Sequence, residues 1–211
     1  MTSNARSSSD WRLYVIVDRA ASGGRDLAVI AQQAIRGGAD VIQLRDKQAP
    51  GRELLEAACA LLRVTRAAKV PLIVNDRLDV AMAAGADGVH LGQDDVPVAD
   101  ARALLGPSKL IGHSTHSLEQ ALAADRAPID YLAVGPIFAT PTKPDYADVG
   151  LELISQVRAR VRKPFVVIGG LDASRLAAVR HAGASCVAVV RAVCGADDPE
   201  SAARELKRAL V

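Results

Sequence analysis

Three cations and two carboxylates stand out in this 211-residue sequence. Arg45 and Lys47 close one apolar, β-branched run, and Lys143 lies in a polar stretch after another. Arginine is a planar fork and lysine a mobile point charge, and both suit phosphate oxygens. Asp76 and Asp95 follow two further runs. Carboxylates beside cations that await phosphates point to a hard divalent ion, Mg2+, bridged to a diphosphate. A ring of structural salt bridges closing a rim is the alternative use of the same residues. Gly169-Gly170 end a seventh run and Val190-Arg191 an eighth. There the backbone N–H groups of loops and of a short helix start suit a second anion, unless the glycines only turn the chain. Two anion sites across one pocket imply two phosphorylated small-molecule substrates, and favour a coupling reaction over an isomerisation.

Other chemistries find less support. Ser114 and His116 are two apart, with no third residue to orient a base. His90, His113 and His116 show no HxH or HExxH spacing for zinc, and strand alternation turns His113 away from Ser114. His181 falls on an expected outer helix, in solvent. Cys59, Cys186 and Cys194 are odd in number and lack CxxC spacing, so they read as buried or partly buried thiols in a reduced, cytoplasmic setting. A net charge of +2 implies neither a nucleic-acid nor a membrane partner, and 3% aromatic residues leave no stacking platform for single strands. No apolar h-region or long apolar run suggests a signal peptide or a membrane span.

These residues need a scaffold that gathers run ends at one place. The runs are Leu13–Asp18, Val41–Asp46, Pro71–Asp76, Gly88–Gly92, Lys109–Ser114, Tyr131–Ile137, Pro164–Gly169 and Cys186–Arg191. Most are continuously apolar, as strands buried on both faces are. Amphipathic stretches alternate with them: residues 26–36, 52–66, 78–84, 98–105, 118–125, 151–160, 174–182 and 199–210. Leu27, Ile30, Ala31 and Ala34 share one face of the first. Eight strand–helix units without a linker predict a single-domain (β/α)8 TIM barrel over residues 11–211, after a disordered polar tail at residues 1–10. An open doubly wound sheet is the runner-up, but Asp18-Arg19-Ala20 stands where that fold favours a glycine-rich turn. In the barrel, the polar crown falls at strand C-terminal ends while strand starts look bland.

Gln43-Leu44-Arg45-Asp46-Lys47, Asn75-Asp76-Arg77, the stretch from Ala86 to Asp95, Ser114-Thr115-His116-Ser117, Gly135-Pro136-Ile137-Phe138, Thr140-Pro141-Thr142-Lys143 and Ile168-Gly169-Gly170 together resemble the thiamine phosphate synthase family, in its order, from Leu13 onward. The resemblance implies a TIM barrel that joins 4-amino-2-methyl-5-(hydroxymethyl)pyrimidine diphosphate to 4-methyl-5-(2-hydroxyethyl)thiazole phosphate, with Mg2+ required. It places Gln43, Leu44, Arg45, Asp46, Lys47, Asn75, Ser114 and Lys143 on the pyrimidine diphosphate and Asp76 and Asp95 on Mg2+. Thr140, Pro141, Thr142, Gly170, Val190 and Arg191 would line the thiazole phosphate site. Arg45, Lys47, Ser114 and Lys143 would be catalytic, acting on a dissociative, carbocation-like transition state. Residues 139–148 would form a lid that excludes water. Three residues depart from the family pattern: Val17 in place of Thr, His113 in place of a small apolar residue, and Arg191 in place of Ser. A related thiazole tautomerase, which needs no diphosphate clamp, and a non-catalytic phosphate-ligand binding protein, which needs the glycines but no Mg2+ carboxylates, are the rival readings.

Overall fold

The computed structural model describes residues 8–140 and 147–211. Eight parallel strands close into a barrel in sequence order: β1 Leu13–Asp18, β2 Val41–Arg45, β3 Leu72–Asn75, β4 Gly88–Leu91, β5 Leu110–Thr115, β6 Tyr131–Val134, β7 Phe165–Ile168 and β8 Val187–Val189. The helices are α1 Leu27–Arg36, α2 Gly51–Ala68, α3 Leu78–Ala84, α4 Val98–Leu105, α5 Leu118–Arg126, α6 Gly150–Arg160, α7 Leu176–His181, α8 Arg191–Cys194 and α9 Pro199–Leu210. The barrel expected from the sequence is therefore the observed fold. Six strands are shorter than expected, β6 and β8 by three residues each. β6 gives way at Gly135-Pro136, and β8 stops at Val189 because the backbone turns at Val190 (φ −110, ψ −82) and Arg191 opens α8. Ser8–Asp10, expected in the polar tail, form a 3-10 turn before a fully buried Trp11.

Strand alternation divides the core in two. Trp11, Tyr14, Ile16, Val41, Ile73, Tyr131, Val166, Cys186 and Ala188 fill the barrel interior. Val15, Val17, Ile42, Leu44, Leu72, Val74 and Leu91 pack outward on the helices. α1 buries Leu27, Ile30, Ala31 and Ala34 as its periodicity predicts, and Asp26 caps it by accepting from the Ala28 N–H at 2.7 Å. Each fully buried Leu or Ile side chain contributes about 1.5–3 kcal/mol relative to exposure. Cys186 and Cys194 are buried, but Cys59 is exposed on α2, because it follows the inward Ala58 by one residue. His181 is exposed, as expected.

The strand starts are less bland than the sequence suggests. Asp40, Asp87 and Asp130 each precede an even-numbered strand. Each donates its backbone N–H to the preceding odd strand, to Leu13, Leu72 and Ile111 carbonyls at 2.8, 3.0 and 2.8 Å. Each carboxylate also accepts the N–H of the same residue, at 3.0, 2.8 and 2.7 Å. Asp40 further accepts from the Arg12 N–H at 2.9 Å and from Lys207 of α9. These reciprocal clamps satisfy strand-end donors at the face opposite the polar crown.

Candidate active site

The strand C-terminal ends open into a cavity of about 460 Å³. Inward strand positions carry its polar lining: Gln43 and Arg45 from β2, Asn75 from β3, His90 from β4 and Ser114 from β5. Thr140, Gly170, Val190 and Arg191 line the β6–β8 side, together with Arg175. Ile16, Ala133, Val166 and Ile168 supply apolar wall.

Leu44 is a correction. It is fully buried and packs toward the helices, since alternation turns it opposite to Gln43 and Arg45. Asp46 is a second correction. Its carboxylate accepts from the Gln48 and Ala49 N–H groups at 3.2 and 3.1 Å, so it shapes its own loop and does not line the cavity. Pro141, Thr142 and Lys143, with most of the expected lid, lie outside the described residues. Of the three departures, Val17 is buried in the outer core, away from the cavity. His113 sits at the rim, its Nδ1 at 3.1 Å from the Leu91 carbonyl and its Nε2 at 2.9 Å from Gln93. Arg191 is exposed at the cavity's β8 edge.

Asp76, one residue past β3, and Asp95, past β4, come together outside the residues that line the cavity. Burial, then the neighbouring Asp95 charge, raise the Asp76 carboxyl above its usual range, while Lys47 partly offsets them. Lys47 Nζ lies 3.3 Å from Asp76 Oδ2. Asp95 Oδ2 accepts the Gly92 N–H at 2.6 Å, which fixes one of its oxygens. Asp76 has a left-handed backbone, φ 61, uncommon for a residue with a side chain. That strain sits at the end of β3, where it aims the carboxylate at its partner.

Two facing carboxylates with one lysine form a hard-oxygen site short of positive charge. Among the described residues no group of three His, Cys, Asp or Glu gathers to hold a metal. That donor set fits Mg2+, which binds through one or two carboxylates and leaves its other positions to phosphate oxygens and water.

Several residues at the site were not singled out from sequence. Asp18, buried at the end of β1, pairs with Arg45 and also accepts the Ala20 N–H at 2.8 Å. Asp18 and Arg45 are register partners of β1 and β2, so this pairing depends on strand order, which no local motif shows. Arg175 donates to the Gly170 carbonyl and lies over the Phe138 ring, 4.6 Å from its centroid. Gly169, at φ 109, has no room for a side chain: a Cβ there would meet Pro136 at 2.5 Å. Its glycine thus serves the packing of β7 against the β6 loop.

The closed parallel barrel, with its polar residues gathered at strand C-terminal ends, defines a (β/α)8-barrel enzyme. The sequence profile described as thiamine monophosphate synthase matches residues 13–193. A thiamine-phosphate synthase of Chloroflexus aurantiacus is 54% identical over 203 residues, covering 96% of this chain and 93% of that protein. Another, of a Roseiflexus species, is 50% identical over 195 residues, covering 92% and 83%. A solved thiamine phosphate pyrophosphorylase from Pyrococcus furiosus superposes with a TM-score of 0.88 at 37% identity, covering 96% of each chain. The chain belongs to the thiamine monophosphate synthase family, and with it to the transferases of thiamine biosynthesis. Among the described residues no helix is long and apolar enough to cross a membrane.

Proposed function

We propose that the cavity couples the aminopyrimidine diphosphate to the thiazole phosphate, releasing diphosphate and forming thiamine phosphate, with Mg2+ held by Asp76 and Asp95. The activity is that of a thiamine-phosphate synthase. The observation that carries the site assignment is the meeting of Asp76 and Asp95, with Lys47 beside them, one residue beyond the Asn75 that lines the cavity.

Gln43, Asn75 and Ser114 hold the pyrimidine ring against the apolar wall. The amino group pushes electrons toward the ring methylene as its C–O bond breaks, and the bonding pair leaves with the diphosphate. Growing negative charge on that leaving group meets Arg45, Lys47 and Lys143, which is electrostatic rather than covalent catalysis. Arg45 gives one N–H to Asp18 and has others for the diphosphate. Mg2+ held by Asp76 and Asp95 would supply further positive charge to that leaving group. The thiazole nitrogen then closes the new C–N bond. Its phosphate is held near Thr140, Gly170, Val190 and Arg191, which tethers the ring in an attacking orientation. Ile16, Ala133, Val166 and Ile168 keep that side of the cavity apolar, which disfavours capture of the electron-poor methylene by water.

Incubating the protein with both substrates and Mg2+ tests the reading by mass detection of thiamine phosphate. Formation that needs all three components is the expected result. Isomerisation of the thiazole without coupling would reject it.

A further inference from the structure

Arg175 is a cation at the cavity to which the coupling chemistry gives no role. It closes the 3-10 turn Ala173–Arg175 after β7 and lines the β6–β8 side. Two contacts seat its guanidinium. One N–H donates to the Gly170 carbonyl, and Cζ lies over the Phe138 ring, 4.6 Å from its centroid. Gly170 leaves room for that seat: a Cβ there would fall 2.8 Å from Arg175 Nη1 and 2.9 Å from Phe138 Cβ. The ring covers one face of the planar fork and the carbonyl takes one N–H, so the group is placed before a ligand arrives.

Its charge has no counter-ion within the protein. Among the described residues Arg175 makes no ion pair. Asp172 also lines the cavity, but its carboxylate accepts the Ser174 N–H at 3.0 Å and the Ser174 hydroxyl at 2.5 Å. Arg45, by contrast, is already paired with Asp18. Arg191, exposed at the same side as Arg175, makes no ion pair among the described residues either. A guanidinium does not lose its proton in a protein, so a partly buried one without a counter-charge is destabilising. Ile168, Leu171 and Val190 supply apolar wall on that side, where an anion from solution would relieve the cost. The remaining N–H groups of the fork suit the oxygens of a phosphate.

We propose that Arg175 binds the phosphate of the second substrate directly and, with Arg191, makes this protein select a phosphorylated thiazole over the free alcohol. The proposal rests on the thiazole assignment above and deepens it, since that assignment leaves Arg175 unused. A phosphate monoester carries roughly two negative charges at neutral pH. Two arginines at one side of the cavity match that charge. Backbone N–H groups and threonine hydroxyls also bind phosphate, but they pair with a neutral hydroxyl at little cost. A guanidinium facing an alcohol keeps its charge uncompensated, which penalises the wrong ligand. Exposed charges contribute little, so most of the selection falls on Arg175, the less exposed of the two.

Calorimetry tests this by comparing 4-methyl-5-(2-hydroxyethyl)thiazole phosphate with the same thiazole as its free alcohol. Arg175→Gln is expected to weaken phosphate binding by about 30-fold and alcohol binding by less than about twofold, because a charge-assisted contact to the phosphate is lost. A staple that only holds Gly170 to Phe138 would affect both ligands alike, so equal losses overturn the proposal. A loss confined to the pyrimidine diphosphate overturns it too, by placing Arg175 on the leaving group. Arg175→Met keeps the stem over Phe138 and takes the place of Arg175→Gln if that variant does not fold. Wild type that binds both thiazoles alike overturns the proposal without any variant and leaves the thiazole assignment standing. Wild type that binds neither overturns both.

Discussion

Arg45→Ala should lower both stability and activity, and the two losses should come apart. The Asp18 carboxylate is 2% exposed and accepts only from Ala20 and Arg45 among the described residues. Losing one partner of a buried ion pair costs about 3–5 kcal/mol. The Arg45 side chain is 13% exposed, so the lower end, about 3 kcal/mol, applies here. For a domain near 200 residues each kcal/mol moves Tm by about 2–4 °C, which predicts a fall of about 6–12 °C. Removing one group aimed at developing charge lowers kcat by about 10²–10³-fold. Asp18→Ala in the Arg45→Ala background removes the stranded carboxylate and should return about half the lost stability, roughly 1.5 kcal/mol. It should return none of the rate. Thermal unfolding and steady-state kinetics, at a temperature where all variants are folded, separate the two. Recovery of kcat/KM alongside Tm would refute the assignment of Arg45 to the diphosphate. An unchanged Tm in Arg45→Ala would refute the buried-pair argument.

Four further outcomes are expected. Asp95→Asn should lower kcat/KM at limiting Mg2+ by about 100-fold, with partial recovery at high Mg2+; unchanged turnover in an Mg2+ titration removes the metal assignment. Lys143→Ala should lower kcat by about 10²–10³-fold in steady-state kinetics, whereas a change confined to thiazole binding reassigns that lysine. Arg191→Ser should raise the KM for thiazole phosphate by about fivefold and leave pyrimidine binding alone; the reverse pattern contradicts the placing of the two substrates. Burial opposes ionisation of Asp40, but Lys207 and the Leu13 and Arg12 N–H groups outweigh it and hold its carboxyl below the usual range. A depressed folded-state pKa gives stability that is present above the ordinary carboxyl pKa, about 3.9, and is lost as pH falls through the folded value. Asp40→Asn should therefore flatten the acid limb of Tm against pH below about pH 4, and an acid limb of unchanged slope would show that Asp40 is not its source.

The barrel was legible because strands buried on both faces read as unbroken apolar runs, and helices such as Leu27–Arg36 keep one apolar face. Asn75, Ser114, Thr140 and Gly170 were legible as polar or glycine residues at run ends, where this fold gathers its loops. The errors share one cause. Leu44 and Asp46 were carried along with their neighbours, although alternation and a local turn give each another direction. The Arg45–Asp18 pair and the Tyr14–Tyr131 contact join residues 27 and 117 positions apart, and no local spacing encodes either. The Tyr14 and Tyr131 hydroxyls meet only once β1 and β6 face each other across the interior. Gly38-Ala39-Asp40 and Gly85-Ala86-Asp87 repeat in the sequence, but their shared clamp exists only once the strands are paired.

Those acids at the foot of the barrel govern which residues its mouth displays. Asp40 grips Leu13 by both its amide and its carboxylate, so β2 cannot slide along β1 without releasing two bonds at once. A slip of one position would swing each β2 side chain to the opposite surface. Leu44 would then look into the cavity while Gln43 turned to the greasy jacket of helices. The identity of the groups that greet a ligand is thus settled at the far end, by an aspartate that no ligand ever meets.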